Sequence, residues 1–213
     1  MNTVTYEQPL NERIRTFLRL EFLFRQAGHS LQHQSPWDTR ASLIHLIEIL
    51  NVFGRTDLKT EVIKELERIT AILSRLEANP DVDGSKLNAV MDKIDLLVDR
   101  LHNFQGQVGQ ELKDNEFLTA IKQRSSIPGG TCDFDLPVYH FWLQHTAEER
   151  SAQLRRWLSA FDTFRSAIDL VLTLVRESAS SAHETASAGF YQQSLDSATP
   201  YQLIRVSVPL EVP

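Results

Sequence analysis

The chain has 213 residues with 28 acidic and 22 basic side chains, a formal net charge of −6, and 42% hydrophobic residues. That is enough to bury the core of one large or two small domains, and it excludes chain-wide disorder. A surface of this sign repels nucleic acid and anionic lipid except through a local basic cluster.

After Pro9 the pattern is helical, with Leu10, Ile14, Phe17, Leu18 and Leu23 near one face and Glu12, Arg15, Arg19 and Gln26 largely on another. Glu21 sits at the edge of that stripe and calls for an ion-pair partner, for which Arg25, four residues on, is the nearest candidate. A second helix is expected to start near Trp37 or Asp38, to turn Leu43, Ile44, Leu46, Ile47, Leu50 and Phe53 inward, and to stop at Gly54. From Asp57, Val62, Leu66, Ile69, Leu73 and Leu76 advance by alternating steps of four and three, and Leu87, Val90, Ile94, Leu97, Leu101 and Phe104 follow a similar rhythm. The "NPDVDG" turn between them predicts an antiparallel helical hairpin with a coiled-coil-like seam. Each arm is expected to exceed twenty residues, about 30 Å at 1.5 Å per residue. Such a hairpin offers a dimerisation or partner surface, or lies against its own domain.

"GQVGQ" at 106–110 reads as a loop, and Asp114 as the N-cap of a short helix carrying Phe117, Leu118 and Ile121. "TAEE" at 146–149 is a capping box ahead of Leu154, Trp157, Leu158 and Phe161. Phe164, Ile168, Val171, Leu172 and Val175 mark a strongly apolar and therefore central helix. "ESASSAHETASAG" then reads as a polar linker, and "GFYQQSL" and "YQLIRVSVPL" as strands. No apolar run reaches membrane-spanning length, and "MNTVTYEQPL" lacks the charged start and apolar run of a signal peptide. Cys132 stands alone, so no intramolecular disulfide forms, and a reduced, cytoplasmic compartment is the expectation.

The stretch "SIPGGTCDFDLPVYHFWLQH" at 126–145 concentrates the chemistry-bearing residue types. A thiol enzyme would use Cys132 with His140 as base, but Asp133 and Asp135 beside the cysteine oppose thiolate formation. A phosphate loop at Gly129 and Gly130 lacks the following lysine and serine, and a metal site from Asp135, His140 and His145 lacks recognisable ligand spacing. Architecture explains more: a glycine turn needing positive φ, then a helix capped by Asp135 and started by Pro137. Basic residues nevertheless bracket this turn at Lys122, Arg124 and His140, and crowd the first helix at Arg13, Arg15, Arg19 and Arg25.

"PLNERIRTFLRLEFL" at 9–23, "TEVIKELER" at 60–68, "SIPGGTCDFDLPVYHFWL" at 126–143 and "GFYQ" at 189–192 together resemble the ZapD family of bacterial cell-division proteins, in the right order over nearly the whole chain. The resemblance implies an α+β protein: a mainly helical domain over 1–183 with the long antiparallel hairpin, then the start of a small antiparallel β domain over 184–213. Relative to the family pattern the chain ends at Pro213, before the strands that would complete that domain. The resemblance also implies a non-enzymatic, cytoplasmic homodimer at the mid-cell division site, without a cofactor. It would bind the C-terminal tail of the tubulin-like GTPase FtsZ and bundle its filaments in support of Z-ring assembly. Tail recognition calls for apolar anchors and a charge-complementary rim. The candidate rim is Arg15, Arg19, Arg55, Lys122, Arg124 and His140, and the candidate anchors are Phe141 and Trp142. Two other readings stay open at this point: a cytoplasmic enzyme using Cys132 and His140, and a nucleic-acid-binding regulator.

Overall fold

The computed structural model describes residues 3–33, 35–54, 57–196 and 199–210. In chain order these form β1 (Thr3–Pro9), α1 (Glu12–Ser30), α2 (Pro36–Phe53), α3 (Leu58–Leu73) with a 3-10 turn over Ser74–Leu76, and α4 (Gly84–Asn103). There follow α5 (Gln110–Lys113), α6 (Glu116–Ser125), α7 (Pro137–Leu143), α8 (Ala147–Ser159), α9 (Asp162–Glu177) and β2 (Leu203–Pro209). The class is α+β and mainly helical.

Local chemistry starts and stops the helices where it should. Asn11, Ser35, Asp57 and Asp83 each accept a backbone N–H in the first turn of α1, α2, α3 and α4. Thr146 and Glu149 form the reciprocal capping box of α8, and Gly54 closes α2. Two caps differ from expectation. Asn115, not Asp114, caps α6, and Leu136 precedes α7 with no side-chain cap, because Asp135 is held by Arg124 instead.

α9 is the centre of the helical body, packing on α1, α3 and α4. Its Phe164, Ile168, Val171 and Leu172 are fully buried. Around its start, Phe53 meets Phe161 at 4.9 Å and Phe164 at 5.4 Å between ring centroids, and Phe104 meets Phe164 at 5.5 Å. α3 and α4 form the antiparallel hairpin, since Lys59 at the start of α3 donates to the carbonyl of Phe104 just past α4 at 2.8 Å. Its arms are shorter than the sequence suggests, 16 residues in α3 and 20 in α4, and its base lies against α9. Leu76, expected on the seam, is exposed beyond the end of α3, and Ile44 of α2 is also exposed.

The sheet departs most from expectation. "GFYQQSL" forms no strand; Ser187 and Phe190 make an isolated bridge around a tight turn at Ala188 and Gly189, both with positive φ. β2 pairs instead with the chain's own start, antiparallel, with Glu7 opposite Arg205 and Tyr6 opposite Val206. The alternation of β-formers in Thr3–Tyr6 is the signal that was there to be read. Two strands alone are marginal. These are anchored because Leu203 packs on the core and because Arg176 at the end of α9 reaches back to them. Its Nε and Nη2 donate to the two oxygens of Glu7 at 2.8 and 2.9 Å. Its Nη1 and Nη2 also donate to the two oxygens of Glu21 at 2.6 and 2.7 Å. Arg25 does pair with Glu21, at 3.3 Å, but as the minor partner.

This clamp sets an acid-side prediction. Hydrogen bonds from Arg176, against a smaller opposing effect of burial, hold the Glu7 carboxyl below its ordinary value. A carboxyl depressed in the folded state stabilises above its unfolded pKa, about 4.3, and that contribution is lost as pH falls through the folded value. Arg176→Met is expected to cost on the order of 2 kcal/mol at neutral pH and to flatten the loss of stability between about pH 5 and pH 3. Thermal melts of both proteins across that range check it; coincident curves would show that the clamp contributes nothing, and parallel but offset curves that its contribution does not depend on the Glu7 carboxylate.

Candidate functional site

A groove of about 510 Å³ opens where α1, α2 and β1 meet. Leu18, Leu23 and Val52 give it an apolar floor, and Phe22, 55% exposed, stands at its edge. Arg15 and Arg19, one helical turn apart on α1, form one wall, and Glu48 and Asn51 on α2 form the other. Glu7 and Pro9 of β1 close one end. Arg15 leans on Glu12 at 3.0 Å, and Glu7 is committed to Arg176 and to Arg205 at 3.0 Å. Arg19 and Glu48 are both exposed, and neither forms an ion pair among the described residues.

Only Arg15 and Arg19 of the six candidate rim residues line this groove. Lys122 and Arg124 are exposed on the last turn of α6, and His140 is exposed on α7. Arg124 pairs with Asp135 at 3.6 Å, which ties α6 to the loop before α7. Arg150, itself buried, ties α7 to the body: its guanidinium donates to the carbonyls of Leu143, at 3.0 Å, and His145 at the end of α7, and to Thr39 Oγ1 on α2. Thr39 and Glu48 lie two and a half turns apart at 3.6 residues per turn, so α7 is fastened to the side of α2 opposite the groove. The basic candidates therefore divide between two faces. Arg55 lies outside the described residues.

The two candidate anchors divide as well. Trp142 is core: it stacks in a cluster with Tyr139, Trp157 and Phe117, and its indole N–H donates to Gln153 at 2.6 Å. Phe141 is 69% exposed and, with Phe134 and Val138, leaves an apolar stripe on the outer side of α7 beside His140. Val138 and Phe141, three positions apart on α7, fall on one side of that helix, and Phe134 is exposed in the turn that precedes it.

Cys132 has no base at hand. Its thiol donates to Asp135 Oδ2 at 3.5 Å, and His140 faces solvent. Among the described residues no cluster of His, Cys, Asp and Glu could hold a metal ion, and no helix is long and apolar enough to cross a membrane. The two glycines of the preceding turn act differently. Gly129 has φ +72°, while Gly130 is required by contact, since a Cβ there would meet the Arg124 carbonyl oxygen at 2.5 Å and Ile127 Cβ at 2.9 Å.

The family model described as "ZapD: Cell division protein" matches residues 18–213. A protein of Methylococcus capsulatus named Cell division protein ZapD is 44% identical over 212 residues, covering 100% of this chain and 83% of its own length. A Cupriavidus pinatubonensis protein of the same name is 45% identical, covering 95% of this chain and 80% of its own length. One from Coxiella burnetii is 39% identical over 98% of this chain and 81% of its own.

The turn before α7 can be tested without any partner. Gly130→Val is expected to destabilise by about 1–3 kcal/mol, because backbone rather than a movable side chain occupies the space, and Gly129→Val by a similar amount through backbone strain. Cys132→Ser should leave the melting temperature within a degree or two, as the thiol's hydrogen bond to Asp135 is long and weak and its backbone hydrogen bonds do not depend on the side chain. Three thermal melts decide the matter; glycine variants that melt like the wild type would remove the architectural reading of residues 126–137.

Proposed function

As the chain belongs to the ZapD family of cell division proteins, and so has a role in cell division, we propose that it binds the C-terminal tail of FtsZ in the groove between α1, α2 and β1 and cross-links FtsZ filaments. The supporting observation is the groove: an apolar floor with Arg15 and Arg19 on one wall, open to solvent along its length and walled at one end by a strand. A flexible tail with carboxylates and apolar side chains fits such a surface, and neither a nucleophile nor a bound group is needed to hold it. Lys122, Arg124 and His140, with the exposed Phe141, form a second basic face on which another part of the filament can rest.

Cross-linking requires two binding grooves per particle, so the working unit in this reading is a homodimer acting in the cytoplasm at the mid-cell Z-ring, without catalysis or cofactor. Avidity along a filament compensates for weak single contacts. A helical domain over 1–183 carries the groove in this reading, and the segment from 184 supplies the strand that helps hold its β1 wall.

Sedimentation of FtsZ polymers with this protein, compared with polymers of tail-deleted FtsZ, tests the proposal. Bundles are expected to pellet with full-length FtsZ alone. Arg19→Glu should reduce pelleting several-fold without moving the melting temperature, because an exposed arginine contributes little to folding. Equal bundling of tail-deleted FtsZ would place recognition on the filament body instead.

A further inference from the structure

The groove is more specific than an acidic-tail acceptor. Glu7 is taken up by Arg176 and Arg205, so the charges left for a ligand are Arg19 on the α1 wall, backed by Arg15, and Glu48 on the α2 wall. A surface built only to attract carboxylates would gain nothing from an exposed glutamate that lines the same groove as its arginines without pairing among the described residues, and a bound acid near Glu48 would be repelled. We propose that the groove reads a peptide of mixed charge, placing a carboxylate against Arg19, an apolar side chain on the Leu18 and Val52 floor, and a lysine or arginine against Glu48. The inference rests on the tail-binding reading above and adds to it the chemistry and direction of the bound segment.

Geometry sets the spacing. α1 and α2 are antiparallel neighbours, held side by side by a hydrogen bond from Ser42 to the Ala27 carbonyl, and packed helices have axes about 8–10 Å apart. An extended chain advances about 3.3 Å per residue. An acid and a base roughly three positions apart, with the apolar residue between them, therefore span the two walls. The groove volume of about 510 Å³ suits such a short segment and would leave much of a folded domain outside it. Because attraction to one wall is matched by repulsion from the other, the segment is bound in one direction only, and the direction of the tail sets which side of the particle faces the filament.

Fluorescence anisotropy with a labelled FtsZ C-terminal tail peptide provides the test. The titrant is the wild-type protein or its Arg19→Gln, Glu48→Gln and Glu48→Lys variants, each checked for an unchanged circular dichroism spectrum. Glu48→Gln is expected to weaken the native tail roughly three- to tenfold, as is Arg19→Gln. Against a tail whose lysines and arginines are replaced by glutamine, the loss from Glu48→Gln should vanish while that from Arg19→Gln persists. A tail whose basic residues are exchanged for glutamate should bind Glu48→Lys better than it binds the wild type. Native-tail affinity unchanged by Glu48→Gln, or a loss that survives neutralisation of the tail's basic residues, overturns the mixed-charge reading while tail binding stands. A wild-type protein that does not bind the native tail overturns the proposed function and this inference with it.

Discussion

Arg176, at the end of α9, holds two carboxylates from the other end of the chain: Glu7 on the first strand and Glu21 in the middle of the first helix. Each of its bonds is charge-assisted and short, and the guanidinium's planar fork meets the two carboxylates together. Hydrogen bonds donated to Glu21 first, and to Glu7 next, push the Arg176 pKa further above its already high ordinary value. Without this anchor, β1 and β2 would form an isolated two-stranded ribbon joined over some 200 residues of chain, and closing so long a loop carries an entropic cost that two strands barely offset. The clamp also brings β1 to the mouth of the groove. A fold interaction thereby becomes a wall of the candidate site.

A buried arginine does comparable work elsewhere in the body. Arg150 sits in the body and satisfies the carbonyls at the end of α7 as well as the Thr39 hydroxyl, so α7 is fixed in orientation although its outer side is apolar and exposed. Leaving such a guanidinium without these acceptors would strand a charge in a dry environment. α6 and α7 are short, and their placement comes from Arg150, from the Arg124–Asp135 pair and from the aromatic cluster of Phe117, Tyr139, Trp142 and Trp157 more than from helix length. The close approach at Gly130 belongs to the same construction.

These two anchors account for how function is distributed. Basic residues that cluster in sequence around the first helix and around the glycine turn are carried to opposite sides of α2. One group meets an apolar groove with an opposing glutamate; the other surrounds an exposed apolar stripe. The groove carries exposed charges of both signs, Arg19 on α1 and Glu48 on α2, neither of them in an ion pair among the described residues.

Local chemistry was legible in the residues. The capping box at Thr146, the stop at Gly54, the apolar stripe of α9 and the turn at Gly129 all depend on neighbours within a few positions, and the sequence by itself determined them. The mainly helical class and β2 followed from the same periodicities. Tertiary structure alone decided what depends on partners far away in the chain: β1 as the mate of β2, Arg176 as the main partner of Glu21, Trp142 inside and Phe141 outside, and the separation of Arg19 from Arg124 and His140. Hydrophobic periodicity specifies which side of a helix is buried, but not which distant charge will meet it. A lone pair of strands carries too little local signal to name its partner, so these features emerge only when packing has chosen the neighbours.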